Sequence, residues 1–306
     1  MNRMIIGALL LLIFNFCAEN KNIFTSGNSI QLGTESTLDV ITWNIKNFPK
    51  QNGTTIDYIV ELIDFMNVDI VALQEIANSN SFSNLVNSLD GWSGYRSPYS
   101  NGWNLAYIYK NSTIEKINIY EIYTSESRPF SRPPLVLEFE YKSKQFILIN
   151  NHLKCCGDGE IDEDDDWDEE HRRRDANVML GDYISTHFEN VNVIVLGDLN
   201  DELNEDPGNN VFQNFINDAS NFKFTDMDIA YGSSNNFSWP GWHQSTYNPA
   251  HFDHILITNE LFDEFDNEGS SIQTIRLEEY FDNGWIDYEK YISDHRPVGL
   301  RLKFSQ

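Results

Sequence analysis

Apolar runs of strand length recur through this chain, and most of them end beside a side chain that can do chemistry. Leu38 to Trp43 leads into Asn44, Asp69 to Leu73 into Gln74-Glu75, and Phe146 to Ile149 into Asn151-His152. Val191 to Leu196 runs into Gly197-Asp198-Leu199-Asn200. Phe252 to Thr258 carries Asp253-His254 at its start, and Val298 to Phe304 follows Ser293-Asp294-His295-Arg296-Pro297. Short apolar runs of this kind read as buried strands. Polar side chains at their ends sit where a rigid element gives way to a loop, which is where layered α/β folds build their sites.

Between the strands lie helical patterns. Ile56, Ile59, Val60, Ile63 and Met66 form one apolar face, with Thr54 or Thr55 expected as its cap. Ala176, Met179, Leu180, Tyr183 and Phe188 form another within Arg172 to Phe188. Leu105 to Tyr109 and Leu135 to Tyr141 are further strands, the second alternating as a half-exposed strand does. Strands dominate the second half, which suits two packed sheets with helices outside. The 306 residues are 41% hydrophobic and 13% aromatic, enough for one large domain with a sizeable core.

The formal net charge of -26 excludes a module that holds nucleic acid by charge alone. It does not exclude an enzyme that meets phosphate through a cation, because a metal inverts the local sign.

Arg3 followed by the apolar run Met4 to Phe14 reads as an export signal over residues 1–18, too short to span a bilayer. Two processing routes stay open. Cys17 is either the lipidated first residue of a lipoprotein, attaching the chain to an outer or cell-surface membrane, or cleavage near Ala18 frees a periplasmic or secreted protein. Residues 19–37, rich in Asn, Ser, Gly and Thr, are expected to be a linker ahead of a domain over 38–306. Cys155 and Cys156 are the other cysteines; neighbours in sequence do not make a disulfide framework, so they read as two loop thiols, with a strained vicinal disulfide or a metal contact as the alternative.

Hard oxygen donors such as Asn44, Glu75 and Asp294 suit Mg²⁺, Mn²⁺ or Ca²⁺; zinc would ask for more His or Cys. Phosphodiester hydrolysis needs a metal against the phosphate, a base for water and donors for the developing charge. His152, His295, Asp198 and Asn200 are candidates for the last two tasks.

With its motifs in this order, from Thr42-Trp43-Asn44 through Leu73-Gln74-Glu75, Asn151-His152-Leu153, Gly197-Asp198-Leu199-Asn200 and Phe252-Asp253-His254 to Ser293-Asp294-His295-Arg296-Pro297-Val298, the chain resembles the DNase I-like endonuclease/exonuclease/phosphatase superfamily over about residues 38–304. The resemblance implies a four-layered α/β sandwich, two mixed and mainly antiparallel sheets face to face with helices outside, and a Mg²⁺-dependent phosphoesterase. It implies that Asn44 and Glu75 hold metal with help from Asp294, and that His152 and His295 flank the phosphate. By the same resemblance Asp253 orients His152, while Asp198 and Asn200 position water or phosphate. His295 is expected as base and His152 as acid or stabiliser, with Asp198 as the rival base.

Phe130 to Val136 is similar to the segment by which DNase I-type nucleases present a substrate-contacting arginine, which gives Arg132 a substrate role. One departure stands out. The glutamate that supports the last histidine in those enzymes is replaced within Asn101 to Asn104, leaving Asn104 as the expected substitute for His295. Inositol-polyphosphate phosphatases are less similar, since Asp201 and Glu202 follow the GDLN motif.

Asp158 to Glu170 holds ten carboxylates, read as a solvated loop with a structural Ca²⁺ as the alternative. Arg172-Arg173-Arg174 is expected to start the next helix and pair with it, or to clamp phosphate. Trp103, Trp239 and Trp242 either pack or stack on bases or lipid. The leading expectation is an exported, monomeric nuclease acting on DNA. A sphingomyelinase-type phosphodiesterase, another phosphomonoesterase and a non-catalytic surface binding protein are the alternatives.

Overall fold

The computed structural model describes residues 32–99, 102–241 and 248–305. The expected signal over 1–18, Asn101 and Trp242 lie outside the described residues. The first sheet takes β1 (Thr37–Phe48), β2 (Ile70–Ile76), β3 (Trp92–Arg96) and β4 (Asn104–Lys110) from the N-terminal half. The second takes β5 (Glu115–Glu121), β6 (Leu135–Tyr141), β7 (Lys144–His152), β8 (Asn192–Asp198), β9 (Phe222–Phe224) and β10 (Asp253–Thr258). The last two strands, β11 (Ser271–Thr274) and β12 (Val298–Lys303), return to the first sheet. Strand orders are β11-β12-β1-β2-β4-β3 and β5-β6-β7-β8-β10-β9. The pairs β1–β2 and β7–β8 are parallel and the remaining pairs antiparallel, as expected for two mixed sheets.

Three apolar layers hold this together. Leu38, Val40, Ile70, Ala72, Leu148, Ile194, Leu196, Ile255 and Val298 pack between the sheets. Trp43, Ile45, Val71 and Leu73 face α1 (Gly53–Met66) and α2 (Ser79–Ser88) on one outside. Ile147, Ile149, Val193 and Val195 face α3 (Glu169–His187) on the other. Strand periodicity of two therefore sends alternate residues to opposite layers. Counting on from the inter-sheet residues, that parity also fixes where Asn44, His152, Asp198 and Asp253 point.

Three details differ from expectation. The packed part begins ahead of Leu38: Leu32 is fully buried, and the Leu32 and Gly33 N–H groups both donate to the Met66 carbonyl at 3.1 and 3.0 Å. One leucine seated in the core pins this stretch, which a polar composition conceals. Asn52, not Thr54 or Thr55, occupies the N-cap of α1. Thr55 is drawn into tertiary structure, donating its hydroxyl to the Tyr291 carbonyl at 2.7 Å. Finally, α3 starts at Glu169, ahead of Arg172, because Asp168 caps it by accepting the His171 N–H at 2.7 Å. Among the described residues no helix is long and apolar enough to cross a membrane.

Candidate active site

Register brings the chemistry together. β8 lies between β7 and β10, with His152 opposite Asp198 on one side and Asp253 opposite Asp198 on the other. Three adjacent strands thus carry His152, Asp198 and Asp253 side by side, all on the inter-sheet face. The close approach of β7 to β8 depends on Gly197, whose φ is +148° and where a Cβ would come 2.0 Å from the Asn151 carbonyl oxygen.

The first sheet reaches across to this trio. Asn44, buried at the end of the inter-sheet face of β1, donates its amide to Asp198 Oδ2 at 2.8 Å and to Glu75 Oε1 at 3.3 Å. Glu75 occupies the left-handed region at φ +62°, where a non-glycine residue is strained, and its Oε2 accepts the Asn47 N–H at 2.9 Å. Asp294 receives the Lys46 ammonium. Below it, Ser293 donates its hydroxyl to the Asn44 carbonyl at 2.6 Å and accepts the His295 N–H at 3.0 Å. Asn200 donates its amide to the Leu153 carbonyl at 3.3 Å, with its own N–H 3.2 Å from Asp198 Oδ1.

Asp198 is the hub. Its Oδ2 lies 3.5 Å from His152 Nε2 and 3.9 Å from His295 Nε2. Burial pushes its carboxyl up to about 7 against the pull of His295, and Asp253 adds to the rise. Burial also works against the His295 imidazolium, but Asp253 and Asp198 outweigh it and hold the ring up to about 10. His152 goes the other way: burial, then the charges of Arg132 and His295, push it well below the ordinary histidine range. Asp294 is kept below its usual value despite burial, because His295 and Lys46 favour its charged form.

Two expectations about support are corrected. Asp253 orients His295 and not His152: its Oδ2 accepts from His295 Nδ1 at 2.7 Å. The parity of β10 aims Asp253 across the sheets toward the loop before β12. Asn104 does not stand behind His295; its amide donates to the carbonyls of Ser97, at 2.7 Å, and Tyr99. The histidine left without support is His152, whose buried Nδ1 has no hydrogen-bond partner among the described residues.

Arg132 lies beside the site, donating from Nη1 to the His152 carbonyl at 3.3 Å and from Nε to the Trp103 carbonyl at 3.1 Å. Its guanidinium stands 5.7 Å from the centre of the Trp103 ring, and Trp103 is 46% exposed. Trp239 packs on Phe252 with ring centres 5.6 Å apart. The arginine triplet is structural. Arg173 is buried between Glu170 at 3.1 Å and Asp201 at 2.7 Å, Arg174 pairs with Glu163, and Arg172 donates to the Arg128 carbonyl and to Ser131. The acidic run is thus partly neutralised, with Lys154 on Glu169 at 3.2 Å as well.

Sequence reasoning missed the network behind the site. Tyr288 donates to the His295 carbonyl at 2.6 Å and accepts from Trp43 Nε1 at 3.0 Å. Buried Asp226 binds His254 Nδ1 at 2.6 Å and His251 Nε2 at 3.0 Å, while His254 Nε2 meets the Asp201 carbonyl at 2.8 Å. Burial opposes the His254 imidazolium, but Asp226 and the Asp201 carbonyl raise its pKa, and the ring ties β10 to the loop after Asn200. The position of His254 beside Asp253 was the available signal; Asp226 had none.

Asn44, Glu75 and Asp294 supply an amide and two carboxylates, the hard oxygen set that fits a divalent cation of the Mg²⁺ kind. Asp198, Asp253 and His295 also form a group whose ligand atoms lie within 4.8 Å of one another.

Residues 41–295 match the model of the Endonuclease/Exonuclease/phosphatase family. Deoxyribonuclease-1-like 1 of Rattus norvegicus is 26% identical over 212 residues, covering 65% of this chain and 58% of that protein's length. Among solved structures, D. rerio TDP2 complexed with a single-strand DNA product superposes with a TM-score of 0.64 at 15% identity, covering 88% of this chain and all of that one. The human nocturnin catalytic domain with bound sulfate gives 0.61 at 17% identity over 89% and 96%. The Bacteroides thetaiotaomicron mannosyl-6-phosphatase gives 0.58 at 13% identity over 87% and 100%. The fold is the DNase I-like α/β sandwich, and the chain belongs to the endonuclease/exonuclease/phosphatase family of phosphoric-ester hydrolases.

Proposed function

We propose that this chain is a divalent-metal-dependent nuclease that hydrolyses DNA phosphodiester bonds. The observation that carries this reading is Arg132 beside the exposed Trp103 ring and next to His152. A guanidinium grips phosphate, and an indole face stacks on a base. A phosphodiester flanked by bases offers both partners; a sugar phosphate offers one. The deoxyribonuclease relative and the DNA-bound neighbour support the same substrate class.

Asn44, Glu75 and Asp294 would hold the cation, which when bound neutralises phosphate charge. Asp198 is better matched to the base than His295. Its carboxyl titrates near neutrality, where a general base is most effective, and it lies between both imidazoles. His295, held as an imidazolium by Asp253, donates to the phosphate as charge builds. His152 acts as a neutral hydrogen-bonding group, and Asn200 and Arg132 position substrate.

Arg3 and the apolar run Met4 to Phe14 support export, with either a lipidated Cys17 or cleavage near Ala18. Cell fractionation and the mass of the mature N-terminus separate the two routes. For the activity, plasmid DNA, sphingomyelin and an inositol polyphosphate are each incubated with the protein in Mg²⁺ or EDTA. The proposal expects DNA cleavage that EDTA abolishes. Turnover of either other substrate with DNA left intact would overturn it.

A further inference from the structure

We propose that Cys155 and Cys156 are a redox modification site, closing reversibly to a vicinal disulfide that slackens the catalytic loops. Both thiols are free and exposed, and the Cys156 thiol donates to the Cys155 sulfur at 3.0 Å. Cys156 lies at φ +73°, in the left-handed region, and the pair follows closely on the end of β7 at His152.

The surrounding backbone gives the pair a route to the site. The Leu153 N–H donates to the Asp198 carbonyl at 3.0 Å, and the Leu153 carbonyl accepts from Asn200. The carbonyls of Lys154 and Cys156 both accept Arg173 Nη1 at 2.7 Å, while Arg173 Nε holds Asp201 at 2.7 Å. Adjacent Cα atoms stand about 3.8 Å apart, short of the roughly 4.4–6.8 Å that a disulfide ordinarily spans. Closing the ring must therefore rotate the peptide between the cysteines. The Cys156 carbonyl turns with it, and Arg173 loses one of the contacts that fix the loop carrying Asp198 and Asn200.

The chemistry balances with a small-molecule disulfide as oxidant. The Cys155 thiolate attacks one sulfur of the oxidant and releases one thiolate. Cys156 then gives up its proton and attacks the Cys155 sulfur, releasing the second. The two cysteine protons end on the two departing thiols, and the cysteines are oxidised as the reagent is reduced.

The full chain is treated with oxidised glutathione, and the peptide carrying Cys155 and Cys156 is read by mass after alkylation, apart from Cys17. The expected product has lost two hydrogens, carries no glutathione and resists alkylation. The same samples are assayed on a small chromogenic phosphodiester. Oxidation lowers kcat/KM roughly tenfold or more, a reductant restores it, and the variant Cys155→Ser/Cys156→Ser keeps the reduced activity and does not respond. A stable glutathione adduct, two alkylated cysteines, or a closed ring with unchanged turnover would each overturn the proposal. The mass readout is independent of which phosphoester the enzyme prefers.

Discussion

Asp253 accepts the Nδ1–H of His295 at 2.7 Å from the first position of β10, so one carboxylate fixes both the orientation and the charge of the last histidine. That link spans the inter-sheet layer, and against burial it favours the charged imidazolium of His295.

Removing the charge tests this. In Asp253→Asn the imidazolium loses its main partner, so its pKa falls from about 10 toward the ordinary histidine value. The alkaline limb of the pH–rate profile should move to lower pH, with activity at neutral pH down about a hundredfold or more. An unmoved alkaline limb would separate His295 from that limb.

The wild-type profile follows from two signs. Asp198 must be deprotonated to take a proton, so activity rises as pH passes about 7. His295 must be protonated to donate one, so activity falls as pH passes about 10. A plateau between those limits is expected in kcat/KM measured at saturating metal, and Asp198→Asn should abolish turnover without the acid limb reappearing elsewhere.

In the proposed reading Trp103 and Arg132 hold the substrate and take no part in proton transfer. Base stacking is worth about 1–3 kcal/mol, so Trp103→Ala should raise KM for a DNA oligonucleotide about tenfold. The same variant should turn over a small chromogenic phosphodiester at the wild-type kcat. Equal losses on both substrates would place Trp103 in the fold instead.

Arg173 is a stability prediction. It is buried between Glu170 and Asp201, and Arg173→Met leaves two carboxylates without it. Breaking a buried pair from one side costs about 3–5 kcal/mol, to be read as a lower urea midpoint. Glu170→Gln combined with Arg173→Met should recover part of the loss, since one stranded charge is then removed.

Much of this site could be read in the sequence because strands alternate. Val40, Thr42 and Asn44 share a parity, as do Leu148, Asn150 and His152, and Ile194, Leu196 and Asp198, so a run of apolar residues predicts the face on which its terminal polar residue emerges. The elements that went unseen lack that signal. β5 reads Glu-Lys-Ile-Asn-Ile-Tyr-Glu on a sheet edge with its first half exposed, and β11 has four residues with none buried. The pairing of Asp253 with His295 was misread because it depends on how the two sheets register across their shared layer, a distance no single strand encodes. Lys46 on Asp294 and Asp226 between two histidines are likewise products of packing. The apolar anchor Leu32 was hidden inside a polar stretch for the same reason.

The central claim is that one site, built around Asp198, cleaves DNA with a divalent cation. The most direct measurement is the rate of DNA cleavage by the full chain and by Asp198→Asn, each titrated with Mg²⁺ from a chelated start, beside hydrolysis of a sugar monophosphate. The account predicts metal-dependent DNA cleavage by the wild type, none by the variant, and a far lower kcat/KM on the monophosphate. Hydrolysis of the monophosphate with intact DNA, or DNA cleavage that survives Asp198→Asn, would contradict it.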